Sequence, residues 1–316
     1  MATMRAAVLR QYGAAEVLHV EEIPRPDPKP GQVLIRVRAA GLNPIDWRTR
    51  NGSLRFVLPG TWPLVLGYDI SGEVVQSAAD ASPLRPGDEV FCMADTRFGG
   101  GYAEYAAVGA AVVVTKPASL SHAEAAAVPL AAMTALQALR DHGRLASGGR
   151  VLINGASGGV GTFAVQVAKL LGGEVTAVTS GKNGELVRQL GADHVIDYTQ
   201  TDITRQDPQY DVVLDAISKT SYWACRRILK PHGRFVILLP TPPHLLNQAL
   251  TWIGAGRQSR TFMVQARAGD LRWLKERIEA GRLRPVIDTV FPLDQAAEAH
   301  RRSEAGHVRG KLILEP

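Results

Sequence analysis

A single seven-residue run, Gly155-Ala156-Ser157-Gly158-Gly159-Val160-Gly161, constrains the fold more than any other part of this chain. It follows a short apolar segment, Arg150 to Asn154, and precedes a segment with Val160, Phe163, Ala164, Val167 and Leu171 at helical spacing. A strand, a glycine-rich turn and a helix in that order make a phosphate cradle. Gly158 lets the backbone approach a pyrophosphate, and Gly161 lets the helix pack closely on the strand. The open N–H groups of Gly159, Val160 and Gly161, together with Ser157 and the helix dipole, then favour negative phosphates. Ala156 replaces the first glycine of the usual pattern. The setting between strand and helix therefore separates a dinucleotide site from a merely structural turn.

Downstream, apolar strands alternate with helical stretches. Glu174 to Thr179, Val195 to Ile196, Asp211 to Asp215 and Arg234 to Leu239 read as strands, with helices at Gly184 to Leu190 and around Tyr222 to Leu229. Such alternation predicts an α/β unit with a doubly wound parallel sheet. The first 120 or so residues have another texture: Gln32 to Ala39 alternates in period two, Tyr68 to Val75 is similar, and Pro86-Gly87-Asp88 turns into Glu89 to Met93. This is an all-β, barrel-like pattern. At Ser121-His122-Ala123-Glu124 a capping box opens an Ala-rich helix. The tail adds an amphipathic helix, Leu271 to Ala280, and the strand-like Pro285 to Phe291 and Gly310 to Leu314. The expected division is 1–122 and 268–316 as one domain built from both chain ends, with 123–267 as the nucleotide domain between them.

Composition excludes several classes. The only two cysteines, Cys92 and Cys225, build neither a disulfide framework nor a Cys-rich zinc site, and they suit a reducing, cytoplasmic setting. No apolar run is long enough for a membrane span, and the N-terminus lacks the pattern of a secretory signal. The net charge of +6 is spread along the chain rather than clustered, so neither nucleic acid nor membrane is an expected partner.

The end of the second parallel strand selects the dinucleotide. An NAD site wants an acid there for the ribose hydroxyls. The sequence instead reads Ala177-Val178-Thr179-Ser180-Gly181-Lys182, with Ser180 able to donate a hydrogen bond and Lys182 able to pair with a 2′-phosphate. Two charge-assisted contacts of about 1.5–3 kcal/mol each favour NADPH strongly.

With these residues in place, the chain resembles the medium-chain dehydrogenase/reductase superfamily, and within it the zinc-independent quinone oxidoreductase branch of zeta-crystallin and the reticulon-interacting oxidoreductases. The resemblance runs through Gly41-Leu42-Asn43-Pro44-Ile45-Asp46, Pro63 to Gly72, Gly87 to Val90, Gly101 to Tyr105, Ala126 to Pro129, Gly191-Ala192-Asp193 and Val195-Ile196-Asp197-Tyr198. It implies a GroES-like β-barrel domain plus a Rossmann domain, with NADPH as cofactor. Asn43 matches the family asparagine near the nicotinamide, and Thr134 the threonine beside that ring. Ser180, Lys182 and Tyr198 match positions around the 2′-phosphate, and His307-Val308-Arg309 matches a cofactor-touching C-terminal stretch. Branch members pair through the last Rossmann strand, here Arg260 to Gln265, so a homodimer is expected.

Zinc relatives carry a ligating Cys near the position of Asn43 and a Gly-His-Glu where Gly67-Tyr68-Asp69 stands. Catalytic zinc normally takes three protein ligands, and neither the thiolate nor the imidazole is present at these positions. No metal is therefore expected. Hydride delivery to a quinone or enone suits such a site, because charge building on a carbonyl oxygen needs only hydrogen-bond donors. Asn43, Tyr68 and Thr134 are the candidate donors, and Asn43→Ala is expected to lower turnover more than NADPH affinity. Enoyl-thioester reduction on the same scaffold, and a non-catalytic NADPH-binding sensor or binding module, are the alternatives. Segment 240–260, with Trp252, matches no interpretable motif.

Overall fold

The computed structural model describes residues 2–60, 62–78, 83–205, 209–238, 241–252 and 256–316. It divides into two compact units: residues 1–130, 266–281 and 285–316, and residues 131–265 with 282–284.

The first unit is built on β1 (Thr3–Leu9), β2 (His19–Pro24), β3 (Gln32–Leu42), β4 (Leu64–Val65), β5 (Asp69–Ser77), β6 (Glu89–Met93), β7 (Tyr105–Gly109) and β8 (Val114–Thr115). From the far end of the chain come β15 (Ile287–Pro292) and β16 (Lys311–Glu315). One sheet runs β2-β1-β4; the other runs β15-β16-β3-β5-β6-β8, with β7 on β3. The β16–β3 pairing is antiparallel, Leu312 opposite Leu42. Alternation turns Val33, Ile35 and Val37 of β3 into a core shared with Ala7, Leu9, Ile70, Val90, Leu312 and Leu314. The helices of this unit are α1 (Pro44–Arg50), α2 (His122–Ala126), α8 (Ala268–Glu279) and α9 (Ala296–Glu304).

The expected capping box forms. The Ser121 hydroxyl accepts from the Glu124 N–H, and the Ser121 N–H donates to Glu124 Oε2 at 2.9 Å. Ala126 and Ala127 pack with Ala39 and Ile313, so α2 belongs with the β unit and the division falls at 130/131 rather than 122/123.

The second unit holds β9 (Arg150–Asn154), β10 (Glu174–Thr179), β11 (His194–Asp197), β12 (Tyr210–Asp215), β13 (Leu229–Ile237) and β14 (Gln258–Thr261). Their order is β11-β10-β9-β12-β13-β14, every pair parallel. Read as strands 3-2-1-4-5-6, this is the doubly wound order of a Rossmann sheet. Its helices are α4 (Gly159–Leu170), α5 (Gly184–Gln189), α6 (Tyr222–Cys225) and α7 (Pro242–Trp252). The helix α3 (Pro129–Leu136) runs on into a π-helical turn, Gln137–His142. Two expectations differ in detail. The helix expected through Leu229 ends its α portion at Cys225, because residues 226–228 tighten to 3-10 geometry before β13. Leu239, Pro240 and residues 253–255, covered by expectations above, lie outside the described residues. Among the described residues no helix is long and apolar enough to cross a membrane.

Candidate functional site

The phosphate turn of the second unit has the predicted form. Gly155 adopts φ +82°, and an added Cβ at Gly161 would lie 2.1 Å from the Gly155 carbonyl oxygen, so α4 meets the turn at a distance only glycine allows. Gly158 is the N-cap of α4 and brings no side chain to cap it. The N–H groups of Gly159, Val160 and Gly161 thus have no i−4 partner and no side-chain acceptor among the described residues, which leaves them for an anion. These residues fit a dinucleotide phosphate: the donors are uncapped, and the first-turn position is open on the side where Gly158 stands.

The second half of the cradle is a hydroxyl–amide cluster. The Thr179 hydroxyl donates to Ser157 Oγ at 2.8 Å, while Asn183 Nδ2 donates to Ser157 Oγ at 3.2 Å and to Ser180 Oγ at 3.3 Å. Ser157 and Ser180 are therefore fixed next to one another. Lys182 is exposed on the following turn, and Tyr198, 49 % exposed, follows β11 with its N–H donating to the Thr179 carbonyl. The sequence reading missed Asn183 and Asp197. An added Cβ at Gly181 would lie 2.6 Å from Asp197 Oδ2, which places a carboxylate beside the Ser180–Lys182 turn. Hydrogen bonds from the Thr199 N–H and hydroxyl hold that carboxyl below its usual range. Asn183 sits in an ordinary helix-start position, and Asp197 reads as a strand end, so neither carries a signal of its own.

Thr134 lies on α3 and is 6 % exposed, and its hydroxyl has no hydrogen-bond partner among the described residues. A helical threonine commonly donates to the carbonyl four residues back; Thr134 does not.

The first unit holds the remaining expected residues. Asn43, 2 % exposed, donates through Nδ2 to Asp69 Oδ2 at 2.9 Å and to the Gly41 carbonyl at 3.4 Å, and its Oδ1 accepts from Lys311 Nζ at 2.6 Å. Its amide hydrogens point to these protein partners, so donation from Asn43 to a substrate oxygen would exchange one of these bonds. Lys311 Nζ spends its other hydrogens on Asp69 Oδ2 at 2.9 Å and the Leu42 carbonyl at 3.1 Å. The other Asp69 oxygen accepts from the Leu130 N–H at 2.6 Å, at the start of α3. Tyr68 is likewise committed: its hydroxyl donates to the Arg97 carbonyl at 2.6 Å, and burial raises its pKa. Both arrangements have one cause, a buried polar group pairing with partners inside the protein.

The same cluster contains a strongly perturbed acid. Asp46 Oδ2 accepts from the Asn43 N–H at 2.7 Å and from the Tyr102 hydroxyl at 2.9 Å, while Oδ1 has no partner among the described residues. Burial pushes its carboxyl up to about 7 against these bonds. Nearby, the His300 ring stands edge-on to Tyr102 at 5.8 Å, and burial and then the Arg50 charge push its imidazole down to about 3. His307, with φ +61°, and Arg309 are exposed on the turn before β16, and the Arg309 N–H donates to Asp288 at 2.8 Å. No group of three or more His, Cys, Asp or Glu able to hold a metal occurs among the described residues.

Comparison with known proteins agrees with this architecture. Residues 29–118 match the alcohol dehydrogenase GroES-like domain family, and residues 190–314 match the zinc-binding dehydrogenase family. A quinone oxidoreductase QR1, chloroplastic, from Triphysaria versicolor is 38 % identical over 325 residues, covering 99 % of this chain and 98 % of the relative. The mitochondrial NAD(P)H oxidoreductase RTN4IP1 from Bos taurus is 36 % identical over 98 % of this chain and 89 % of its own. The solved quinone oxidoreductase from Coxiella burnetii superposes with a TM-score of 0.91 at 34 % identity, covering 100 % of both chains. With a GroES-like unit, a Rossmann unit and full-length relatives of this kind, the chain belongs to the medium-chain dehydrogenase/reductase superfamily, among its quinone oxidoreductases, and is an oxidoreductase that works with a nicotinamide cofactor.

Proposed function

We propose that the protein uses NADPH, without zinc, to reduce a quinone or an α,β-unsaturated carbonyl compound. The observation that carries this reading is the Thr134 hydroxyl, buried and without a partner, the only one of the three expected donors whose hydrogen is uncommitted among the described residues. A donor held ready in a water-poor setting stabilises negative charge on a carbonyl oxygen without reorganising. NADPH, when bound, supplies the hydride. The chain's own residues do the rest: the N–H groups at Gly159 to Gly161 hold the pyrophosphate, and Ser180 and Lys182 hold the 2′-phosphate.

The zinc-free part of the proposal rests on charge. Lys311 Nζ already sits between Asn43 and Asp69, so the segments that bind zinc in relatives are occupied here by an ammonium, and a second cation would be repelled. Relatives named chloroplastic or mitochondrial are compartmented; for this chain, with both cysteines free and buried, a reducing cytoplasm is the proposed setting. β14, at one edge of its sheet, is the surface proposed for a second copy. A monomeric mass in sedimentation would remove that element.

The test follows nicotinamide absorbance with NADPH and NADH against a panel of quinones, enones and enoyl thioesters. Saturable NADPH oxidation with a quinone or enone supports the proposal. Binding of NADPH without turnover of any acceptor would replace it with the sensor reading. For Thr134→Val the expected result is roughly a tenfold loss of kcat, the value of one hydrogen bond in the transition state, with NADPH affinity unchanged.

A further inference from the structure

The second unit carries a basic cavity at the end of its sheet opposite the phosphate turn. β9 runs from Arg150 to Asn154 and delivers the chain into that turn, whereas the cavity, about 370 Å³, lies where β9, β12 and β13 begin. Its walls include Arg144, Lys230, His232 and Arg234, with Gly148 and Gly149 opening the backbone between them. Asp211 is the only carboxylate among the lining residues, and it is already engaged by Lys230 Nζ at 2.7 Å and by the Arg150 N–H at 2.8 Å. Among the described residues Arg144 and Arg234 have no carboxylate partner, and Arg260 on β14, outside the lining, lies close enough to both to add its repulsion.

The backbone is shaped around this cavity. In the β12–β13 ladder Tyr210 pairs with Leu229 and Val212 with Arg234, so residues 230–233 bulge from the strand and carry Lys230 and His232 outward. Bulges re-aim side chains and gather near functional sites. Arg144 and His232 both take left-handed φ, +51° and +66°, where residues with a Cβ are uncommon. The Arg234 guanidinium is held at the wall by its bond to the His142 carbonyl at 2.9 Å. Like charges brought together on a deformed backbone repel until an anion neutralises them. The volume falls within the range of small-ligand pockets, about 300–1,000 Å³.

We infer that this cavity is a second anion site, one that binds a small diphosphate, free or carried by a nucleoside, independently of the dinucleotide. Two guanidinium groups in the wall, Arg144 and Arg234, with the Lys230 ammonium and the His232 ring beside them, match the charge of a diphosphate better than that of a single carboxylate ligand.

The test is isothermal titration of the full chain, kept saturated with NADPH so that the phosphate turn is blocked, with inorganic pyrophosphate and, in parallel, ADP. The expected result is one pyrophosphate bound per chain, with affinity falling tenfold or more in Arg144→Asn, a residue that tolerates the left-handed backbone, and in Lys230→Gln. Tighter binding of ADP than of pyrophosphate would assign the site to a nucleoside diphosphate; equal binding would assign it to the free diphosphate. No binding under NADPH saturation, or equal affinity in wild type and both variants, would overturn the inference. Unchanged NADPH affinity in the variants verifies that they are folded.

Discussion

In the first unit, Asn43, Asp46, Asp69, Tyr102 and Lys311 turn their polar atoms on one another; in the second, the first turn of α4 leaves its N–H groups open. Both regions are rich in polar atoms close to glycine. The difference lies in where the partners come from. A buried ammonium, amide and carboxylate satisfy each other and hold β3, β5 and β16 together, whereas the N–H groups of the helix start find no acceptor among the described residues and suit a phosphate.

The largest way to break this contrast is Lys311→Met. It leaves Asp69 buried without its cation, and breaking a buried pair costs about 3–5 kcal/mol. Urea unfolding should show that loss, with Asn43→Ala giving a smaller loss of the same kind. Wild-type stability combined with lost turnover in Lys311→Met would move the cluster into the catalytic machinery. On the other side, Gly161→Ala puts a methyl group against the Gly155 carbonyl. Overpacking of this sort costs about 1–3 kcal/mol, which predicts roughly a five- to 150-fold weaker NADPH affinity in a fluorescence titration.

The buried cluster also sets a pH signature. The Asp46 carboxyl is raised from 3.8 to about 7, so between those values the folded state binds the proton more tightly, and stability falls as pH rises. The His300 imidazole is depressed from 6.5 to about 3, so there the unfolded state binds more protons, and stability falls as pH drops. The two oppose each other in the overlap. Asp46→Asn keeps an acceptor for the Asn43 N–H and the Tyr102 hydroxyl but removes one of the two slopes. Its unfolding free energy should then decline toward acid more steeply than that of the wild type below pH 6.5, by up to about 1.4 kcal/mol per pH unit. Parallel profiles would show that Asp46 is already ionised in the fold. The smallest effect is expected at the open site: Asp197→Asn removes a carboxylate beside the Gly181 turn and should tighten NADPH about two- to threefold, a surface-charge effect, while leaving NADH unchanged.

The sequence was most readable where structure is local. The strand–turn–helix around Gly155 to Gly161, the Ser121–Glu124 capping box and the β/α alternation depend on residues a few positions apart. The fate of Asn43 was hidden because its partner Lys311 lies 268 residues away, and no periodicity links the two. The bulge at residues 230–233 and the π-helical turn after α3 were hidden for a related reason: both arise from pairing and packing with other strands, not from local propensity. Tyr68 shows the same limit at shorter range, since its acceptor is a backbone carbonyl, which no side-chain pattern reveals.

The β16–β3 pairing has a consequence for biosynthesis. Leu42 and Lys311 are 269 positions apart, so β3 emerges from the ribosome long before the strand that pairs with it, and Asp69 long before its counter-ion. The Rossmann sheet, drawn from one continuous stretch, is complete while the earlier unit still has an open edge and an unneutralised carboxylate. Nascent chains stalled short of Lys311 should therefore expose that edge to chaperones, even though most of the molecule has already been made.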